Sequence, residues 1–204
     1  MGLETERLRS IWSENSYYSM AEIFIEEQWE GIIWPRINGF DFSNVVDLAA
    51  GHGRNSKYLV RHSDKLTIVD LCRENIVKCR KRFAKYPNVD YKICDGKTIP
   101  VDSCSVSLLY CFDAMVHFEP ETVRFYLCEA QRIMTRKAKA FLHHSNYQGF
   151  CNVDFRKNPH ARNFMSKNLF QYWARKCGFK VLSSEIINWG NSKNLDCITI
   201  LEKQ

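Results

Sequence analysis

The stretch "VVDLAAGHGRNSKYLV", Val45 to Val60, decides the fold. It opens as an apolar run of the kind that forms a strand buried on both faces. It then breaks at Gly51 and Gly53 before a helical pattern resumes. A buried strand, a glycine turn and a helix together open a strand–helix crossover unit. Glycines at such a turn let the backbone adopt positive φ and let a neighbour approach closely. An acid, Asp47, stands just before them and asks for a partner.

The same alternation runs outward from this stretch. Strands are expected at 44–49, 65–70, 89–94, 105–112, 138–145, 180–187 and 196–203, with helices near 54–62, 73–85, 120–135 and from Ser166 to Gly178. Parallel strands need long crossovers, so this order predicts an α/β fold: a doubly wound, mainly parallel seven-stranded sheet of Rossmann-like type. Only "NWGNSKN" separates the last two strands, too short for a helix, so the last strand is expected to run antiparallel. Residues 1–42 are helical and aromatic, with Tyr17, Tyr18, Trp29 and Trp34, until Pro35 stops the pattern. They are expected to form a cap or lid over a compact domain spanning 43–204.

Bulk properties narrow the class. The chain has 204 residues, a net charge of +6 and 45% hydrophobic residues, which suits one soluble domain. No apolar run approaches the roughly 20 residues of a membrane helix, and the mixed N-terminus "MGLETERLRSIWSENS" does not resemble a signal peptide. Gly2 suggests a myristoylation start, but Glu6 stands where a Ser or Thr is wanted. Nine cysteines, an odd number without a CxxC pair, read as small core residues in a reducing cytoplasm. No clustered zinc-type spacing and no convincing Mg²⁺ ligand set is visible. Much of the positive charge lies in "RENIVKCRKRFAK", where Ile76, Cys79 and Phe83 mark an apolar helix face and the basic residues a wet one.

In an open α/β sheet the ligand binds beyond the carboxyl ends of the strands. Asp47, Asp70 and Asp95 all fall at such ends. Asp70 is placed to accept from ribose hydroxyls and Asp95 from an adenine amine. A dinucleotide would want a third glycine, where Ser56 stands, and Asp47 would repel its pyrophosphate. A carboxylate there suits a cationic amino-acid tail instead. S-adenosylmethionine carries that ammonium, a ribose and an adenine without a phosphate.

The pieces "VVDLAAGHGRNS", "TIVDLCRENI", "CDG", "VSLLYCFDAMVHF", "EAQRIMTRKAKAFLHHSN" and "GFKVLSSEI…DCITILEK" resemble, in order over residues 43–203, a class I S-adenosylmethionine-dependent methyltransferase. The resemblance implies that Asp47, Ala49, Gly51 and Gly53 surround the methionine moiety, with S-adenosylhomocysteine as product. It implies that Asp70 holds the ribose, that Leu71 packs on the adenine, and that Asp95 and Gly96 flank its amino edge. Cys111 and Phe112 would line the methionine side. Ala49 departs from the family's usual glycine, and "TRKAKA" replaces the proline–glycine turn usual after "RIM".

A hydroxyl acceptor must lose its proton as the new bond forms, which histidine does well near neutrality. "FDAMVHFE" and "FLHHSNYQ" place His117, His143 and His144 at the two productive strand ends, with Asp113 as an orienting partner. Strand alternation turns His143 and His144 to opposite faces. His144 is the favoured base and His117 the second. Asn146, Tyr147 and His143 are candidate substrate contacts. The long loop at 146–168 adds Arg156, Lys157, His160 and Arg162, either for an anionic acceptor or as a solvated surface. The acceptor expected is a small molecule or glycan-linked group, a sugar above all. Nucleic-acid methylation is disfavoured because "CFDA" replaces an Asn- or Asp-Pro-Pro-aromatic turn and the charge is not striped. Methylation of a small-molecule nitrogen, a metal-assisted transferase and a non-catalytic cofactor-binding relative remain alternatives.

Overall fold

The computed structural model describes Tyr18, residues 21–149 and residues 154–204. Tyr17, Gly2 and residues 150–153 of the long loop lie outside that range. Helix α1 combines Ile25–Gln28, a π-type turn Trp29–Ile33 and Trp34–Ile37. Pro35 sits in its last turn, at the start of Trp34–Ile37, and the helix ends two residues beyond it. Then follow β1 (Val45–Leu48), α2 (Ser56–Leu59), β2 (Leu66–Asp70), α3 (Arg73–Arg82), β3 (Val89–Ile93) and β4 (Val106–Cys111). The chain continues through α4 (Pro120–Ile133), β5 (Met134–Ser145), α5 (Lys167–Lys176), β6 (Phe179–Trp189) and β7 (Ser192–Lys203).

The strands form one sheet in the order β3-β2-β1-β4-β5-β7-β6. All neighbours are parallel except β7, which runs antiparallel to both β5 and β6. β1, β2 and β4 are buried at every residue, as their continuous apolar runs require. Alternation divides them between two cores. Val46, Leu48, Leu109, Cys111 and Leu142 pack with α4 and with Phe170 and Ala174 of α5. Val45, Ile68, Leu108, Tyr110 and Phe141 pack with α1, α2 and α3 on the other face.

Two boundaries differ from the sequence reading for local reasons. "NWGNSKN" is mostly strand: Trp189 pairs with Ser192, leaving Gly190 and Asn191 as the turn. Gly190 takes φ +54°, which glycine adopts without steric cost. At the other site, α4 runs straight into β5, and the register against β4 slips between Val106 and Leu108. "TRKAKA" thus forms a bulge, with Lys137 at φ 66°, in place of a turn.

Candidate functional site

The glycine turn between β1 and α2 is held from both sides by the chain itself. Ser56, the first residue of α2, donates its hydroxyl to Asp47 Oδ2 at 2.6 Å. The Gly51 N–H donates to Asp70 Oδ2 at 2.8 Å. Asp70 Oδ1 accepts from the Cys72 N–H at 2.8 Å and from Asn75 Nδ2 at 3.1 Å. Ala49 at φ 57°, Gly51 at 57° and Gly53 at 76° all lie in the left-handed region. A Cβ at Gly53 would run into Phe83 and Cys79 of α3, and one at Gly51 into the ring of Tyr18. Both glycines therefore admit neighbours from the chain itself, a helix and an N-terminal tyrosine.

Burial, with Asp70 close by, raises the Asp47 carboxyl to about 7 in spite of the Ser56 hydrogen bond. Burial raises Asp70 to about 6 against its hydrogen bonds to Cys72, Gly51 and Asn75. Two buried acids with raised pKa values form a place that a cation would relieve. The donor set fits S-adenosylmethionine. Asp47 and Asp70 suit an ammonium and a ribose, and Asn75 Oδ1 is a buried acceptor with no hydrogen-bond partner. Leu71 reaches within 3.9 Å of where a Gly96 side chain would start, so these two flank one slot. Asp95 is exposed, and its carboxylate accepts from the Lys97 and Thr98 N–H groups at 2.9 and 2.7 Å, which hold it below its ordinary pKa. It shapes its own turn.

Tyr18 crosses this mouth. Its ring stacks on His52 at 3.7 Å and its hydroxyl accepts from Asn75 Nδ2 at 3.0 Å. Beside it, Arg54 donates to the Ala21 carbonyl at 3.0 Å and Arg82 pairs with Glu22.

Beyond β4 and β5 lies a buried ionic cluster. Cys111 and Phe112 are both buried, but alternation sends the thiol to one core and the ring to the other. Asp113, at φ 55°, accepts from Arg54 at 2.6 Å and from Arg162 at 3.3 Å. Burial alone would raise this carboxyl, but the two guanidinium groups hold it below its ordinary value. Arg162 grips Asp196 through two bonds of 2.9 and 2.6 Å. His143 Nδ1 accepts from the Asp113 N–H at 3.1 Å, so its proton sits on Nε2, which donates to Asp196 Oδ2 at 3.1 Å. Its ring lies between Phe112 and Trp189, at 4.7 and 4.9 Å. Two cations and two anions balance, with His143 as a neutral link.

The favoured base, His144, is not brought to this cluster. It faces the opposite core, stacked on Phe170 at 3.7 Å, with Nδ1 bonded to the Ser145 carbonyl and Nε2 to Thr199 Oγ1, both at 2.9 Å. Burial lowers its pKa to about 3. His117 lies under the 155–163 segment and bonds through Nδ1 to the Ala161 carbonyl at 2.8 Å, and burial lowers it to about 4. Asn146 ties β5 to its surroundings, donating to the Asn194 carbonyl and accepting from the Lys167 N–H. The Tyr147 carbonyl accepts from the Met165 N–H. Arg156 pairs with its neighbour Asp154, while Lys157 and His160 are exposed. Arg162, which the sequence offered to an anion or to solvent, is 2% exposed and committed to carboxylates.

Sequence reasoning passed over Arg54, Asn75 and Asp196. Asp196 was findable: an acid followed by the apolar strand "CITIL" must be paired to be buried. Among the described residues no group of three or more His, Cys, Asp or Glu is arranged to hold a metal, and no helix is long and apolar enough to cross a membrane.

Residues 45–137 match a family described as "Methyltransferase domain". No curated protein matches the chain by sequence. Among solved structures, an S-adenosylmethionine-dependent methyltransferase from Clostridium acetobutylicum superposes with a TM-score of 0.72 at 13% identity, covering 93% of this chain and 99% of that one. A Pyrococcus horikoshii protein gives 0.69 at 18% identity, covering 95% and 93%. The geranyl diphosphate C-methyltransferase of Streptomyces coelicolor, solved with S-adenosyl-L-homocysteine, gives 0.68 at 11% identity, covering 92% and 79%. At such identities the superpositions establish the fold, and the matched domain carries the methyltransferase activity. The chain thus carries a methyltransferase domain over residues 45–137, on a fold shared with S-adenosylmethionine-dependent methyltransferases.

Proposed function

We propose that the enzyme methylates a hydroxyl of a small polar acceptor, a sugar or glycan-linked group, with His117 taking the proton. The observation carrying this reading is the balanced cluster of Arg54, Arg162, Asp113 and Asp196 beyond β4 and β5. Both guanidinium groups already face carboxylates, which favours a neutral polar acceptor over a phosphate-bearing one. S-adenosylmethionine supplies the electrophilic methyl group when bound. Asp47 would face its ammonium, Asp70 and Asn75 its ribose, Leu71 and Gly96 its adenine.

His117 supports the base role better than His144. Its Nδ1 donates to the Ala161 carbonyl, which leaves the lone pair on Nε2, the tautomer a base needs. Burial and the positive charge of Arg162 keep the ring neutral and able to accept a proton, against the smaller opposing charge of Asp113. The Tyr18 contacts with His52 and Asn75, with the Arg54 and Arg82 contacts beside them, support an N-terminal lid over the cofactor mouth.

The test is radiolabelled methyl transfer to a panel of sugars, sugar phosphates, nucleotide sugars and bulk RNA. Neutral sugars are expected to be labelled, and labelling of RNA alone would overturn the acceptor class. His117→Ala should lose about 10²-fold or more in kcat, while folded His144→Ala should retain turnover. Undiminished turnover in His117→Ala would refute the base assignment.

A further inference from the structure

The strongest feature outside the site is a pair of thiols between α4 and the end of α5. Cys128 lies on α4 and Cys177 at the carboxyl end of α5, 49 residues apart in sequence, and their Sγ atoms are 3.2 Å apart. Cys128 is exposed and Cys177 half-buried. By contrast Cys72, Cys79, Cys94, Cys111 and Cys197 are buried in the two cores, and Cys104, though exposed, lies by Lys203. We propose that Cys128 and Cys177 form an oxidisable dithiol that closes to a disulfide, ties α4 to α5 and reopens with thiol reductant.

The chemistry is thiol–disulfide exchange with a low-molecular-weight disulfide such as oxidised glutathione. The exposed Cys128 thiolate attacks one sulfur of the reagent, forming a mixed disulfide, and the departing thiolate takes up the Cys128 proton. The Cys177 sulfur then attacks the Cys128 sulfur, and its proton goes to the second departing thiolate. Two protein thiols are oxidised by two electrons, and one small disulfide becomes two thiols. Cys128 is the entry point because it is the accessible partner. Burial and the neighbouring Cys128 raise the Cys177 thiol above its ordinary value, which leaves Cys128 as the first to attack.

Closure would hold more than two helices. The bridged segment contains β5 with His143 and His144, and the stretch carrying Arg162. The amino end of α5 anchors Asn146 through the Lys167 N–H, and its Phe170 carries the stack with His144. A covalent tie between α4 and α5 therefore braces one whole core of the sheet.

The experiment uses the full chain treated with oxidised glutathione, then unfolded and alkylated. Reduced protein should take nine labels and oxidised protein two fewer. Trypsin should release FYLCEAQR (125–132) joined to CGFK (177–180). The melting temperature of the oxidised form should rise by about 5 °C or more and fall back with dithiothreitol. Both the linked peptide and the shift should be absent in Cys128→Ser, an exposed and structurally mild change. A link between other cysteines, stable glutathionylation of Cys128 without closure, or a full nine labels after oxidation would overturn the proposal. None of these readouts depends on methyl transfer.

Discussion

At the scale of single residues, the acid pair of the first turn sets a pH dependence. Asp47 and Asp70 have folded-state values of about 7 and 6, above those of an unfolded aspartate. The protonated pair is thus favoured by folding, and the stability it contributes is full below about 4 and is lost progressively as pH rises from there through about 6 to 7. An ammonium held there removes the penalty on the ionised form, so binding should release protons. The thermal shift with S-adenosylhomocysteine should be larger at about pH 8 than at about pH 5.5. Calorimetry in buffers of different ionisation heat should register the proton release, and a pH-independent shift would contradict it.

Ala49 carries a second residue-scale consequence. Its φ of 57° costs a non-glycine residue about 1–2 kcal/mol. Ala49→Gly should stabilise the fold by up to about 1 kcal/mol after the extra chain entropy of glycine, read as a shift in urea midpoint. The sequence marked this position as a departure from the family, but a methyl group does not reveal its own φ.

At the scale of elements, one ionic cluster joins the ends of β4 and β5 to β7 and to the 155–163 segment. Removing one partner leaves a buried charge uncompensated. Asp196→Asn should therefore destabilise by about 3–5 kcal/mol in chemical denaturation, as Arg162 loses its bidentate acid. Asp196→Leu combined with Arg162→Met should recover a large part of that loss, because the desolvation penalty goes with the pair. If the double variant were no better than the single one, the cluster would be serving packing and not charge. Arg162 and Asp196 are 34 residues apart, so no local pattern could join them. Asp47 and Ser56 are only nine apart across one turn, which made the first acid legible.

The whole molecule is a sheet covered on both faces, with its stability concentrated at the centre. β1, β2 and β4 are buried throughout, whereas β3 at one edge is only half-buried or exposed. Amide hydrogen exchange should be slowest in β1, β4 and the central part of β5, and faster by orders of magnitude in β3 and the outer positions of β6. Uniform protection across the sheet would count against this division.

The sequence by itself determined the strand–helix order, the antiparallel last strand, the glycine turn and the acids at the strand ends. Each of these rests on a local period, a short connection or a residue type at a turn. The tertiary structure alone decided which histidine faces the ionic cluster. Two adjacent strand residues point to opposite faces, and the side each takes depends on register against β4 and β7, set by distant packing. It also decided that Arg162 is buried and that Tyr18 lies on Gly51. Charge partners and close contacts across the chain are made by the fold as a whole, and no window of neighbouring residues contains them.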